Sequence, residues 1–166
     1  MSLLGSRAVL AALAALGLGL VGYALFSGQT DEERIAEVLN ELEDTVGFAS
    51  PPNPLTHAAA VRARFVELVA PEVVVDVPER GLVARGRDDL TRLAVAGTAR
   101  LQSFEVAVTV EALRVDGDTA HAGVEVVTEA TQGQNPRLST RRADLEFVKH
   151  DGDWLLSAAH VVEADE

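Results

Sequence analysis

The 166-residue chain carries 14 Lys and Arg against 26 Asp and Glu, a formal net charge of −12, and it has no cysteine. That charge disfavours nucleic acid and anionic lipid headgroups as partners, and the missing thiol excludes disulfides, thiolate catalysis and cysteine-based zinc sites. The charge is unevenly spread: Arg7 is the one charged side chain in residues 1–27, so residues 28–166 form an acidic stretch long enough for one globular domain. Tyr23 and Met1, the only residues of their types, also lie in the first stretch, which removes phenol chemistry from the rest.

Residues 8–26 run without a charge or a strongly polar side chain. As a helix this run would extend roughly 28 Å at ~1.5 Å per residue, close to the hydrocarbon thickness of a bilayer. The expected organisation is a cytoplasmic tail at 1–7, a transmembrane anchor or uncleaved signal at 8–26, a linker at 27–30 and a domain at 31–166. Arg7 before the run and Asp31, Glu32 and Glu33 after it place the amino terminus inside and the domain outside the cytoplasmic membrane, periplasmic or extracellular. The alternative is a secreted domain, because Gly22-Tyr23-Ala24 has the small-x-small form of a cleavage site near Ala24. Ala11, Ala15, Gly19 and Gly22 would form a ridge of small residues that lets another membrane helix approach, from a membrane-protein partner or a second copy. An Ala- and Gly-rich span also produces such spacings by chance.

Thr30 and Glu33 have capping-box spacing, and Ile35, Val38, Leu39, Leu42 and Val46 follow at helical period, predicting a helix that ends near Gly47. Asn53 before Pro54 reads as the cap of a second helix that stops before Pro71. Its apolar residues, among them Leu55, Ala59, Val61, Phe65, Val66 and Leu68, predict a wide core-facing stripe. The valine-rich residues 73–77 predict a strand, residues 78–81 a turn and residues 82–84 a short return strand. A third helix starts near Arg87, with Asp88 and Asp89 complementing its dipole. After Gln102 the period becomes two, and a phase slip near Ala112 predicts a bulge. Asp116-Gly117 and Asp151-Gly152 mark hairpin turns, residues 132–138 read as a loop, and the last strand is apolar on both faces and therefore central.

This order is α+β: a curved antiparallel sheet packed against three helices. The Val-rich strand ending at Pro78, the Ala84-Arg85-Gly86-Arg87-Asp88-Asp89-Leu90 entry to the third helix and Asp151-Gly152-Asp153-Trp154 before the last strand carry a resemblance to the nuclear-transport-factor-2-like superfamily, the cystatin-like or SnoaL-like cone fold, over residues 31–163. The resemblance implies a cone-shaped pocket and a family that includes enzymes, binders and assembly domains. In the ketosteroid isomerases of that superfamily a general-base Asp directly precedes the proline ending the first strand, and a Tyr and a second Asp hold the oxyanion. Here Val77 precedes Pro78, Asp76 alternates onto the opposite face, the Tyr has no counterpart, and Asp144 shares a solvent-facing phase with Arg142 and Glu146.

No catalytic residue is assigned on that basis, and neither a cofactor nor a metal is expected, since no two histidines have ligand spacing. The candidate pocket residues are Phe65, Phe104, Arg141, Phe147, Trp154 and His160, the aromatics serving either to line the cone or to fill it. His160 is read as inward because it follows Trp154, Leu156 and Ala158 at steps of two, while His57 is read as a solvated surface residue. Arg62 and Arg64, like Arg85 and Arg87, are pairs able to hold an anion or to lie on solvated faces. The leading expectation is a membrane-anchored, non-catalytic accessory or assembly module. The alternative is a small-molecule binder or a lyase or isomerase of the polyketide-cyclase type using the cone pocket.

Overall fold

The structure is a computed structural model that describes residues 28–163. The expected tail, anchor and small-residue ridge lie outside the described residues, and residues 28–30 are exposed and outside any helix or strand. Among the described residues no helix is long and apolar enough to cross a membrane.

Two helices come first, α1 (Asp31–Val46) and α2 (Pro54–Leu68). Asn53 caps α2 as its sequence predicts, its Oδ1 accepting from the backbone N–H of Leu55 at 3.0 Å and of Thr56 at 3.4 Å. Strands β1 (Val69–Val77) and β2 (Leu82–Arg85) are joined through a 3₁₀ turn at Pro78–Arg80, which Gly81 closes in a left-handed conformation. Helix α3 (Arg87–Thr98) follows, then the long strands β3 (Ser103–Asp116), β4 (Thr119–Gln132), β5 (Asn135–His150) and β6 (Asp153–Glu163). They form one six-stranded sheet in the order β2-β1-β6-β5-β4-β3. β6 is central, as expected for a strand apolar on both faces. The sheet is mixed, however, because β1 runs parallel to β6 while every other pair is antiparallel. The chain makes this crossover through β2, α3 and the β3–β5 meander, a connection that local periodicity does not reveal.

The core lies between the helices and one face of the sheet. Ile35 and Leu39 of α1 pack on Ala122, Val124, Leu145, Phe147, Trp154 and Leu156, and a second cluster joins Val61, Phe65 and Leu68 of α2 to Val69 and Val73. Val38, Leu42 and Val75 pack against both. The α2 stripe is narrower than its sequence suggests: Leu55 and Val66 are exposed, because only one side of the helix is covered. The expected loop at 132–138 is instead a tight hairpin, with Gln132 paired to Asn135 around Gly133. Pro136 is tolerated there because the pairing of β5 with β6 extends only to Arg141, leaving its other edge free of a ladder that would need an N–H.

Two register shifts decide which side chains face the core. Glu111 is unpaired between Val110 and Ala112 of β3, the predicted bulge. The other was not predicted: Glu146 pairs with Ala158 but Phe147 with Leu156, so Ser157 is the additional residue in β6 and its hydroxyl donates to the Glu146 carbonyl at 3.0 Å. Before it Trp154 and Leu156 point into the core; after it Ala159 and Val161 do.

Phe147 is the largest fully buried side chain, at 1% exposure. Phe147→Ala is expected to destabilise the fold by about 3–5 kcal/mol, whereas Leu138→Ala, on an exposed residue, should stay within about 0.5 kcal/mol. Urea unfolding followed by circular dichroism measures both.

Candidate functional site

Trp154 and Phe147 occupy the space between α1 and the sheet, in contact with the same buried cluster. Phe65 is buried in the neighbouring cluster under α2. Phe104 stands apart at the start of β3, where its backbone exchanges hydrogen bonds with Phe48 at 2.7 and 2.8 Å and its ring lies 6.5 Å from the Phe48 ring. The candidate aromatics therefore do not converge on one cavity. Trp154 is also tied at its polar edge: its indole N–H donates to Asp31 Oδ1 at 2.9 Å, and Lys149 Nζ donates to the same oxygen at 2.8 Å while lying 5.4 Å from the indole ring centre. The Lys149 hydrogen bond, followed by that of Trp154, holds the Asp31 carboxyl below its ordinary pKa against a smaller opposing effect of burial.

Arg141 lies on the inner face, with its side chain 16% exposed. Its guanidinium donates to Glu79 at 2.9 Å and lies 3.5 Å from Glu163. The Glu79 carboxylate also accepts from the Glu163 backbone N–H at 2.6 Å. That backbone hydrogen bond is the largest influence holding the Glu79 pKa below its ordinary value, with Arg141 adding to it and burial opposing it. Arg141 thus joins the 3₁₀ turn to the end of β6, and its charge is already balanced. Nothing local in the sequence links residues 79, 141 and 163.

His160 does not face inward. The additional residue at Ser157 reverses the phase of β6, so His160 is half exposed on the helix-free face, with its Nδ1 3.3 Å from Asp76 Oδ2. The parallel pairing of Asp76 with His160 brings the two together. On the same face His121 Nδ1 is 4.0 Å from Glu146. His57 is half-buried, its ring set edgewise on Phe48 at 5.6 Å rather than freely solvated. The arginine pairs are engaged separately: Arg62 with Asp88, Arg64 with Glu41 and Glu67, and Arg87 with the Val69 carbonyl. Among the described residues no group of three His, Asp or Glu side chains is arranged to hold a metal ion.

The family model for the SnoaL-like domain matches residues 59–160. No curated protein matches the chain. Among solved structures, a protein from Kribbella flavida is similar with a TM-score of 0.67 at 17% identity, covering 81% of this chain and 91% of that one. A candidate scytalone dehydratase from Novosphingobium aromaticivorans gives 0.65 at 14% identity, covering 81% and 85%. A candidate dehydratase of the nuclear-transport-factor-2-like family from Streptomyces avermitilis gives 0.64 at 14% identity, covering 82% and 98%. At these identities the likeness establishes the fold: an α+β cone with a curved six-stranded sheet and three helices.

Because the folded state lowers the Glu79 pKa, the carboxylate contributes stability that is present above its unfolded value and lost as pH falls through the folded one. Glu79→Gln is expected to be less stable than the parent at pH 7, with the two denaturation curves converging as pH falls below the ordinary value of 4.5. Urea midpoints across pH 3–7 (roughly the carboxylate range) test this.

Proposed function

The chain belongs to the SnoaL-like domain family, and from that premise we propose that it is a non-catalytic accessory or assembly module. In this reading residues 8–26 cross the bilayer once and hold the domain outside the cytoplasmic membrane. The observation that supports the non-catalytic reading is the packing of Ile35, Phe147, Trp154 and Leu156 into one buried cluster between α1 and the sheet, together with the pairing of Arg141 with Glu79 and Glu163. The uncharged run of residues 8–26, with Arg7 before it and Asp31, Glu32 and Glu33 after it, supports the anchor and its direction. Partners in this reading are the lipid bilayer through residues 8–26 and either a membrane protein or a second copy, packed on the Ala11, Ala15, Gly19 and Gly22 ridge.

A second reading is favoured by the two candidate dehydratases among the similar structures: a small-molecule binder, or a lyase or isomerase of the polyketide-cyclase type. For this chain such a site could not draw on His160 from inside the cone.

Fractionation of cells followed by mild detergent extraction and intact-mass measurement tests the leading reading. The full-length chain is expected in the membrane fraction with a second copy or a membrane protein co-purifying. A soluble monomer processed near Ala24 would overturn it, and turnover of a hydroxy-carbonyl substrate by the purified chain would establish the second reading in its place.

A further inference from the structure

Helix α1 crosses the sheet and covers only part of its outer edge. It begins at the β5–β6 hairpin, where Asp31 accepts from Lys149 and Trp154, and its last turn reaches β3, where Glu43 Oε1 accepts from the Val108 N–H at 2.6 Å. Just beyond the helix, Phe48 exchanges backbone hydrogen bonds with Phe104. β3 is the last strand of the sheet, and among the described residues no element pairs with its outer edge from Val110 to Asp116. An edge left this way presents unpaired N–H and C=O groups that can accept another strand.

The bulge decides which backbone groups those are. Phe104 and Val108 turn their N–H groups away from β4, so before the bulge the even-numbered residues direct their backbone groups outward. The additional residue Glu111 passes that orientation to Leu113 and Val115. Arg114 and Asp116 alternate with them, and their side chains are exposed, with no ion pair among the described residues.

Charges on an edge strand ordinarily keep a second strand away, but one antiparallel register of this edge with itself makes them attract. With a twofold axis at Val115, the half-buried Val115 faces its own counterpart, Arg114 faces Asp116 of the second copy, and Asp116 faces the second copy's Arg114. The outward N–H and C=O of Val115 then form a reciprocal pair of hydrogen bonds between the copies. Centring the axis on Arg114 instead would set two guanidinium groups against each other. Residues 104–108 of the second copy fall past Asp116 of the first, beyond the hairpin end, so α1 does not obstruct the contact.

We infer that two copies of this chain associate through their β3 edges in the register centred on Val115, joining two six-stranded sheets into one continuous sheet. Residues 113–117 of each copy make the contact, a small interface that belongs with the weak associations. The inference goes beyond the accessory-module reading, because the contact lies on a strand edge of the domain and does not depend on the uncharged amino-terminal run.

Because the chain has no cysteine, single introduced cysteines can trap so weak a contact. The full chain, purified in mild detergent, is made as Arg114→Cys, as Asp116→Cys and, at a distant exposed residue, as Leu138→Cys. In the proposed register, residue 114 of one copy and residue 116 of the other have Cα atoms ~4.5 Å apart, within a disulfide's reach, whereas each cysteine lies diagonal to its own counterpart at ~7–8 Å. A mixture of the Arg114→Cys and Asp116→Cys chains also keeps one Arg–Asp pair intact. Mild oxidation at ~0.15 M salt, which screens the repulsion between two acidic chains, is expected to link that mixture. The yield of linked dimer should exceed that of either chain alone, or of Leu138→Cys, by about tenfold or more. Linking of Arg114→Cys alone as readily as the mixture would overturn the register. Equal linking of Leu138→Cys, which reports random collision or association through the amino-terminal run, would overturn the edge contact, as would the absence of any linked dimer.

Discussion

Ser157 is one residue more than β5 can pair with, and the two faces of the sheet depend on that mismatch. Side chains alternate along a strand, so an additional residue exchanges inside for outside over everything that follows. Without it, Ala159 and Val161 would leave the core and His160 would enter it. With it, Trp154, Leu156 and Ala159 all reach the buried cluster, and the imidazole meets Asp76 in solvent. The bulge at Glu111 does the same for β3, allowing Val108 before it and Leu113 after it to pack against the same core.

The inner face is consequently lined by apolar side chains on both sides of each bulge, and they pack against α1 in one buried cluster. Phe147 and Trp154 are the aromatic members of that cluster, and Trp154 can be buried because Asp31 at the start of α1 accepts a hydrogen bond from its indole N–H. A buried indole N–H without that acceptor would carry a desolvation penalty. The same carboxylate fixes Lys149 over the ring, and Arg34 of α1 donates to the Gly152 carbonyl at 2.9 Å. The β5–β6 hairpin and the first turns of α1 are thus locked together at one end of the domain. At the other, Arg141 joins the turn after β1 to the end of β6 through Glu79 and Glu163. Charge at the two ends of the domain therefore serves connection between elements remote in sequence.

Much of the fold was legible in local pattern. Asn53 before Pro54 announced a helix cap, Asp116-Gly117 and Asp151-Gly152 announced hairpins, and the phase slip in β3 announced its bulge, because each is governed by backbone preferences of a few adjacent residues. The Ser157 bulge escaped notice because both phases of β6 are apolar, so a reversal leaves no mark on hydrophobicity. The hairpin at Gly133 was concealed by Pro136, which looks like a strand breaker until the free edge beside it is known. The candidate site was less legible: Arg141 was correctly phased inward, but its carboxylate partners lie far away in sequence, and Phe104 proved to belong to a different part of the molecule from Phe147.

The sequence by itself determined the acidic charge, the uncharged amino-terminal run, the absence of thiol chemistry and the kind and order of elements, all properties that reside in composition or in neighbours along the chain. Tertiary structure alone decided that β1 runs parallel to β6, that Asp76 meets His160 and that Arg141 is neutralised by Glu79 and Glu163. These are matters of register and distance between segments remote in sequence, and local periodicity carries no information about either.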